Sequence, residues 1–343
     1  MRRVLAVWFL GTLALAQSTL DWQGAWKLAL ERNPGYQNAL LSREAAVGEL
    51  RALEADPSTL VLPLTQARQA LALAEVQVQA SRLTLLQSLL TAYTSLLEAQ
   101  ENEKVLEANR ALAERNLAVA RARRQAGNAT DLDVAKAEAN LRSAELALKN
   151  AQGQRLALVK ALEAVLGLPL SQEPRLALLP EPKPLGSSLD ALKEGLENRL
   201  PSLLQARQAV ELAELQVSLA DNDYTPRLTL EKARAGLETA RKNLQNTLAQ
   251  ALANLESTYA QAQAAWGQVL TAREALANQE KTLGVARRSY QAGTISLLQL
   301  EQEEVNRLQA QQSLLQAQNA YWRALAALGV AAGRDLTGLG VEP

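Results

Sequence analysis

One position in every seven stays small or apolar for nine repeats: Leu64, Leu71, Val78, Leu85, Ala92, Ala99, Leu106, Ala113 and Ala120. A period of seven held this long is a coiled-coil seam, because 3.5 residues per turn keeps one stripe against a neighbouring helix. No proline interrupts the run, and Ala, Leu, Gln, Glu and Arg dominate it, so helix propensity agrees with the pattern. At a rise of about 1.5 Å, roughly 63 residues make a helix on the order of 95 Å long, far more than a compact domain uses. The run breaks at Gly127-Asn128-Ala129-Thr130-Asp131. A return helix is then expected from Asp131 to Leu166, stopped by Gly167 and Pro169.

The same unit occurs twice. Leu230-Glu231-Lys232-Ala233-Arg234 repeats Leu64-Thr65-Gln66-Ala67-Arg68, and Gln291-Ala292-Gly293 repeats Gln125-Ala126-Gly127, each at an offset of 166 residues. The heptad position recurs as Leu230, Leu237, Leu244, Ala251, Thr258, Ala265, Ala272, Gln279 and Ala286. A constant offset over a whole helix means duplication without insertion. The fold class is therefore all-α: two tandem copies of a long antiparallel coiled-coil helical hairpin. The first copy is expected over 17–167 and the second over 189–333, separated by a linker at 168–188 carrying Pro169, Pro174, Pro180, Pro182 and Pro184. Residues 334–343 are expected to be a loose tail.

Shorter helices fill the remainder. Residues 20–32 read as an amphipathic helix ending at Asn33-Pro34, and a second helix runs from about Gly35 to Ala55. Residues 58–64 are expected to be extended before the long helix starts. In the second copy the chain bends at Pro201, runs to about Ala220 and breaks over 221–226. The second helix and the return helix together nearly equal the long helix in length. Stacked end to end, they can line it from one end to the other.

Thirty-six basic residues balance thirty-six acidic ones, so charge gives no case for a nucleic-acid partner. Cysteine and histidine are both absent, which removes disulfides, thiolate chemistry and the commonest zinc ligands. Arg2 and Arg3, the apolar run 4–15 and the small residues Ala14 and Ala16 read as a secretory signal cleaved after Ala16. The alternative is an uncleaved anchor, for which about 12 apolar residues are short. An exported protein that works outside the cytoplasm is expected; the periplasm or outer membrane is what the family resemblance below implies.

No catalytic, cofactor or metal site is expected either. Asp131 with Asp133, and Glu301 with Glu303 and Glu304, read as a charged outer face. Arg121, Arg123, Arg124, Arg287 and Arg288 suit the negative ends of their helices.

Several short pieces, in order and partly duplicated, carry a family likeness. They are Leu30-Glu31-Arg32-Asn33-Pro34, Leu62-Pro63-Leu64 with Ala67-Arg68, and Gln125-Ala126-Gly127 with Thr130 and Asp133. Val165-Leu166-Gly167 and Tyr290-Gln291-Ala292-Gly293 complete the set. From Leu20 to about Gly333 the chain resembles the TolC-type outer-membrane efflux ducts. The resemblance implies a homotrimer forming a twelve-helix α-barrel, a conduit that opens at its tip turns. Those turns are Gly127, Asn128, Ala129 and Thr130 in one copy and Gly293, Thr294, Ile295 and Ser296 in the other. They would meet a periplasmic adaptor protein of an inner-membrane pump.

The resemblance also implies a tip latch between Asp133 and Tyr290, and a pore constriction at Gln299 and Gln302, where family members often carry aspartates. Family members insert two full β-strands per copy between the second helix and the long helix. Here only 58–64 and 224–230 are available, about seven residues each against roughly 9–11 for a membrane strand, so membrane association is left open. A non-conducting coiled-coil spacer or tether in the envelope is the alternative function.

Overall fold

The structure, a computed structural model, describes residues 19–170 and 172–340; the signal segment expected at 1–16 lies outside the described residues. In chain order the elements are β1 (Thr19–Leu20), α1 (Trp22–Arg32), α2 (Pro34–Ala55), α3 (Val61–Gln125) and α4 (Asp131–Leu166). They continue as β2 (Arg175–Leu176), α5 (Leu189–Lys193), α6 (Leu196–Arg199), α7 (Pro201–Ala220), α8 (Arg227–Gln291) and α9 (Leu297–Ala332). The two long helices have 65 residues each and the two return helices 36 each. All four pairs of helix ends differ by the same 166 residues. The stretch 58–64 is not extended as expected: α3 already begins at Val61, with Pro63 tolerated in its first turn where an amide has no helical partner.

Every heptad residue named above is buried or half-buried, in both copies. α2 and α4 both pack along α3, and α7 and α9 both pack along α8 and also against α3. The result is a row of four helix positions: α2/α4, then α3, then α7/α9, then α8. Burial follows the row. Seventeen residues of α3 are buried against six of α8, and ten of α9 against three of α4. α2 buries none, whereas α7 buries six. The α2/α4 position and α8 are thus the open edges.

Two short helices can imitate one long helix only if their junction is tight. Asn33 caps α2, its Oδ1 accepting from Tyr36 N at 3.1 Å, with Pro34 in the first turn. Its Nδ2 donates to Val165 O near the end of α4 at 2.9 Å, so one side chain joins both helices. Gly167 ends α4 at φ +71°, and a Cβ there would lie 2.4 Å from Arg32 O. The second copy has the same junction: Gly333 at φ +66° ends α9, and a Cβ would lie 2.6 Å from Arg199 Cβ.

Halfway along the long helices the row thickens into a girdle with a packed core. Trp22 and Trp26 of α1 lie among Leu89, Leu90, Leu96 and Leu97 of α3, with Trp22 edge-on to Tyr93 at 5.5 Å. Most of the described aromatic residues gather here, Tyr224 and Tyr290 excepted, and give the chain a compact core. The linker is part of it. β2 pairs in parallel with β1, and the Tyr93 hydroxyl sits 2.8 Å from Ala177 O and 3.0 Å from Leu20 O, bonding both strands to α3. Tyr321 donates to Lys183 O at 3.0 Å.

The tail is held rather than loose up to Gly340. Trp22 Nε1 donates to Leu339 O at 2.9 Å, Arg82 Nη2 to Gly340 O at 2.7 Å, and Asp335 closes the turn through Thr337 and Gly340.

The junction geometry makes a direct prediction. Gly167→Ala and Gly333→Ala each force a side chain into the left-handed region, costing about 1–2 kcal/mol, with the clash against Arg32 or Arg199 added. Each lowers the thermal midpoint measured by circular dichroism, whereas Gly186→Ala, which has nothing within 4 Å, leaves it unchanged.

Candidate functional site at the hairpin tips

Both tips are built alike. α3 ends with Gly127 at φ +77°, its amide donating to Arg124 O at 3.0 Å and the Asn128 amide to Arg123 O at 2.8 Å. α8 ends with Gly293 at φ +72°, its amide donating to Tyr290 O and the Thr294 amide to Ser289 O, each at 2.9 Å. These are paired Schellman closures, which satisfy the last carbonyls of a helix in the fewest residues. Gly127, Asn128, Thr130, Gly293, Thr294 and Ser296 are exposed, while Ala129 and its repeat mate Ile295 are half-buried. Each tip is a short, rigid and mostly solvent-facing turn.

The return helices start with reciprocal capping boxes. Thr130 Oγ1 accepts from Asp133 N at 3.2 Å, and Asp133 Oδ2 accepts from Thr130 N at 2.8 Å and from its hydroxyl at 2.7 Å. Ser296 and Gln299 make the same pair, with Gln299 Oε1 accepting from Ser296 N at 2.8 Å. Asp133 and Gln299 therefore occupy one repeat position, the third residue of a capped helix. Bonds from the Thr130 backbone and then its side chain hold the Asp133 carboxyl below its ordinary range. Gln302 turns away from the cap and donates to Asn306 Oδ1 at 3.1 Å. The sequence signals, Thr-x-x-Asp and Ser-x-x-Gln ahead of an apolar run, were there to be read as caps.

Asp131 and Asp133 lie on an exposed face as expected, but the charged residues near the tips are mostly paired, and the Glu301 side chain is only 17% exposed. Arg121 Nη2 donates to Glu138 at 2.8 Å, and the repeat mates Arg287 and Glu304 approach to 3.5 Å. Arg124 pairs with Asp131. Glu303 accepts from Gln279 Nε2 at 2.7 Å, and Glu301 pairs with Arg115 of α3, across the boundary between hairpins. The bond from Arg121 keeps the Glu138 carboxyl below its usual range. Arg121, Arg124 and Arg287 thus act through specific carboxylates as well as at helix ends.

Within one chain Asp133 and Tyr290 are not brought together. They stand on α4 and α8, at opposite ends of the row. Among the described residues no hydrogen bond joins them, and Asp133 Oδ2 is taken by Thr130.

Elsewhere the most buried charged group is Glu103, 2.7 Å from Arg155, which also lies 2.9 Å from Glu173 of the linker. Burial pushes the Glu103 carboxyl up and Arg155 opposes the shift. This cluster joins α3, α4 and the linker. No group of three or more acidic residues able to hold a metal ion occurs among the described residues, nor any helix long and apolar enough to cross a membrane.

A single-layer row of very long helices, girdled at the waist and ending in two matched turns, is the subunit architecture of a helical duct. The profile of the Outer membrane efflux protein family matches residues 60–168 and 229–334, one stretch in each repeat. The chain belongs to that family. It is an efflux-channel component of the periplasm or outer membrane, in a family of channels rather than enzymes.

Solved structures show the same fold. The outer membrane protein VceC of Vibrio cholerae aligns with a TM-score of 0.66 and 19% identity, over 92% of this chain and 96% of that one. The CmeC outer membrane channel of Campylobacter jejuni gives 0.65 and 17%, over 92% and 86%. The open state of the Neisseria gonorrhoeae MtrE outer membrane channel gives 0.56 and 17%, over 92% and 89%. A search of curated proteins by sequence finds no match.

The caps carry a prediction with a pH sign. Thr130→Ala and Ser296→Ala each remove a cap worth about 1 kcal/mol and increase tryptic cleavage at Arg123 and Arg288. Because Asp133 and Glu138 are depressed in the folded tip, their contribution is complete above the ordinary carboxylate range. It is lost as the pH falls through their folded values. Fluorescence anisotropy of a probe on Asn128→Cys should hold from pH 8 to 5 and drop in stronger acid, with Asp133→Asn weakening that drop.

Proposed function

We propose that the protein is a trimeric α-helical conduit whose tip turns open and meet the periplasmic adaptor of an inner-membrane pump. The observation that carries this reading is the pair of open edges. Shifting the internal contact of α3 with α7/α9 by one repeat gives α8 against α2/α4, and only another copy can supply that second pairing. Four helix positions per copy then make a ring of twelve from three copies, in line with the family resemblance. The edges also carry unpartnered apolar side chains: Leu146 and Leu156 on α4 are 59% and 62% exposed, and Leu270 and Val285 on α8 are exposed as well. Helix-weakening glycines sit there too. Gly48, Gly153, Gly236, Gly267 and Gly284 are all on edge helices, with nothing within 4 Å of an added Cβ, which leaves room for a close neighbour.

In such a ring α8 lies beside the α4 of the next copy. The Asp133–Tyr290 latch then joins copies rather than the two hairpins of one copy, and the amides of Gln299 and Gln302 are the constriction candidates just inside the tip.

Native mass and negative-stain shape test this reading. The expected result is a hollow trimer, and a solid or monomeric rod makes the protein a spacer instead. Recovery only in detergent after a carbonate wash would assign the 56–60 and 221–226 end to the membrane. On the assembled protein, Tyr290→Phe should speed tryptic cleavage at Arg123 and Arg288, and an unchanged rate removes the latch. Ala265→Leu, at a position already buried, should overpack the wall by roughly 1–3 kcal/mol.

A further inference from the structure

One cluster of charge lies beside the girdle where the second repeat shows that none is needed. Glu103 of α3 and Arg155 of α4 meet at 2.7 Å, and their mates at the 166-residue offset are Val269 and Tyr321. Both mates are fully buried in the girdle core. The fold can therefore pack this height with apolar side chains, and a buried ion pair gives no stability that such packing cannot match. Its presence in the first repeat points to a different role.

The two carboxylates that share Arg155 differ in their surroundings. The Glu103 side chain is 10% exposed, and its Oε1 is buried without a hydrogen-bond partner. Glu173, on the linker, is 29% exposed and borders a polar cavity of about 300 Å³ that Arg155, Lys104 and Arg175 also line. Arg155 Nη1 donates to Glu103 Oε2, whereas its Nε lies 2.9 Å from Glu173 Oε1 without the alignment of a hydrogen bond. The guanidinium is thus committed to the dry carboxylate and only poised against the wet one. Gln100 pins the same stretch of linker by neutral bonds, donating to Pro174 O at 2.9 Å and accepting from Leu176 N at 3.2 Å.

We propose that Glu103, Arg155 and Glu173 form a proton-operated clasp on the linker between the repeats. A proton taken up by Glu103 removes the charge that holds Arg155 to α3. The guanidinium then turns its full charge on Glu173 and draws the linker onto α4. Burial is the largest influence on the Glu103 carboxyl and pushes it up. Arg155 of α4 opposes the shift, while Glu173 of the linker and Glu107, one turn further along α3, add to it. Glu101 and Lys104 of α3 are occupied with each other at 2.6 Å. A raised carboxyl adds stability that is complete below the ordinary carboxylate range and is lost as the pH rises through the folded value. The tips have the opposite sign, since Asp133 and Glu138 lose their contribution in acid. Falling pH therefore firms the waist of the chain while it loosens the ends. The clasp lies within one chain and does not depend on the trimer proposed above.

Glu103→Gln keeps the shape of the side chain and removes its charge. At pH 8 it should raise the thermal midpoint of the whole protein by about 2 °C, and that gain should vanish by pH 5. Hydrogen exchange of the linker peptide 172–177, corrected for its intrinsic pH dependence, reads the hand-over itself. Wild type should gain about threefold protection there from pH 8 to 5, and Glu103→Gln should hold the higher value throughout. Glu173→Gln should abolish the gain in linker protection, yet adding Glu103→Gln to it should still raise the midpoint at pH 8. Should Glu103→Gln fail to fold, Glu103→Val with Arg155→Tyr installs the second repeat's own pair and should make linker protection independent of pH. The clasp is overturned by a Glu103→Gln midpoint no higher than wild type at pH 8, by wild-type linker protection that ignores pH, or by pH-dependent protection in the double variant.

Discussion

Isolated helices draw little stability from their own hydrogen bonds, because nucleation is costly and most helical stability in proteins comes from packing an apolar stripe. A helix of 65 residues must therefore be flanked along its full length. α3 is flanked on both sides and α8 on one, and that, with the girdle packed on its middle, accounts for the greater burial of α3. Neither flank is a single helix of matching length. Each is assembled from two shorter helices, so continuity depends on how closely two helix ends can meet. Gly167 against Arg32 and Gly333 against Arg199 are those meeting points. The wall stays even in thickness because glycine is the residue that fits there.

Much of this was legible in the sequence because the governing signals are periodic. The heptad stripe, the return helix from Asp131 to Leu166 and the 166-residue offset are all one-dimensional patterns, and they reappear in the helix bounds. The girdle was not legible. Its core joins Trp22, Tyr93, the linker strand and the tail at Leu339, residues up to 317 positions apart, and no local period announces such a meeting. Only 3% of the residues are aromatic. Concentrating most of them at one height was enough to make a core.

At the tips, local chemistry was underread and long-range chemistry was out of reach. Thr130-x-x-Asp133 and Ser296-x-x-Gln299 are short motifs with a known mechanism. The family likeness drew attention to a latch and a constriction at the same two positions. The two roles can coexist: Asp133 Oδ2 accepts from Thr130, and no hydrogen bond to Oδ1 occurs among the described residues. The Arg115–Glu301 pair, 186 residues apart, had no sequence signature. Glu301 is shielded rather than on an outer face because α9 is an inner helix of the row, with neighbours on two sides, whereas Glu304 keeps a 46% exposed side chain.

Duplication also gives one chain an internal seam and two open edges of matching geometry and different chemistry. The repeats share helix lengths, caps, tip turns and the Arg121–Glu138 type of ion pair, features that act within one hairpin. They differ where a hairpin meets its neighbour. Inside the chain, covalent linkage keeps the two hairpins in register, so ties such as Arg323 to Glu98 have only to fix it further. The open edges instead expose small and apolar residues, Leu146, Gly153 and Leu156 on α4 and Gly267 and Leu270 on α8 among them. They bury apolar area without demanding a partner charge, and an exposed alanine edge carries little penalty before assembly. In the trimer proposed above, such edges would meet the edges of an identical copy.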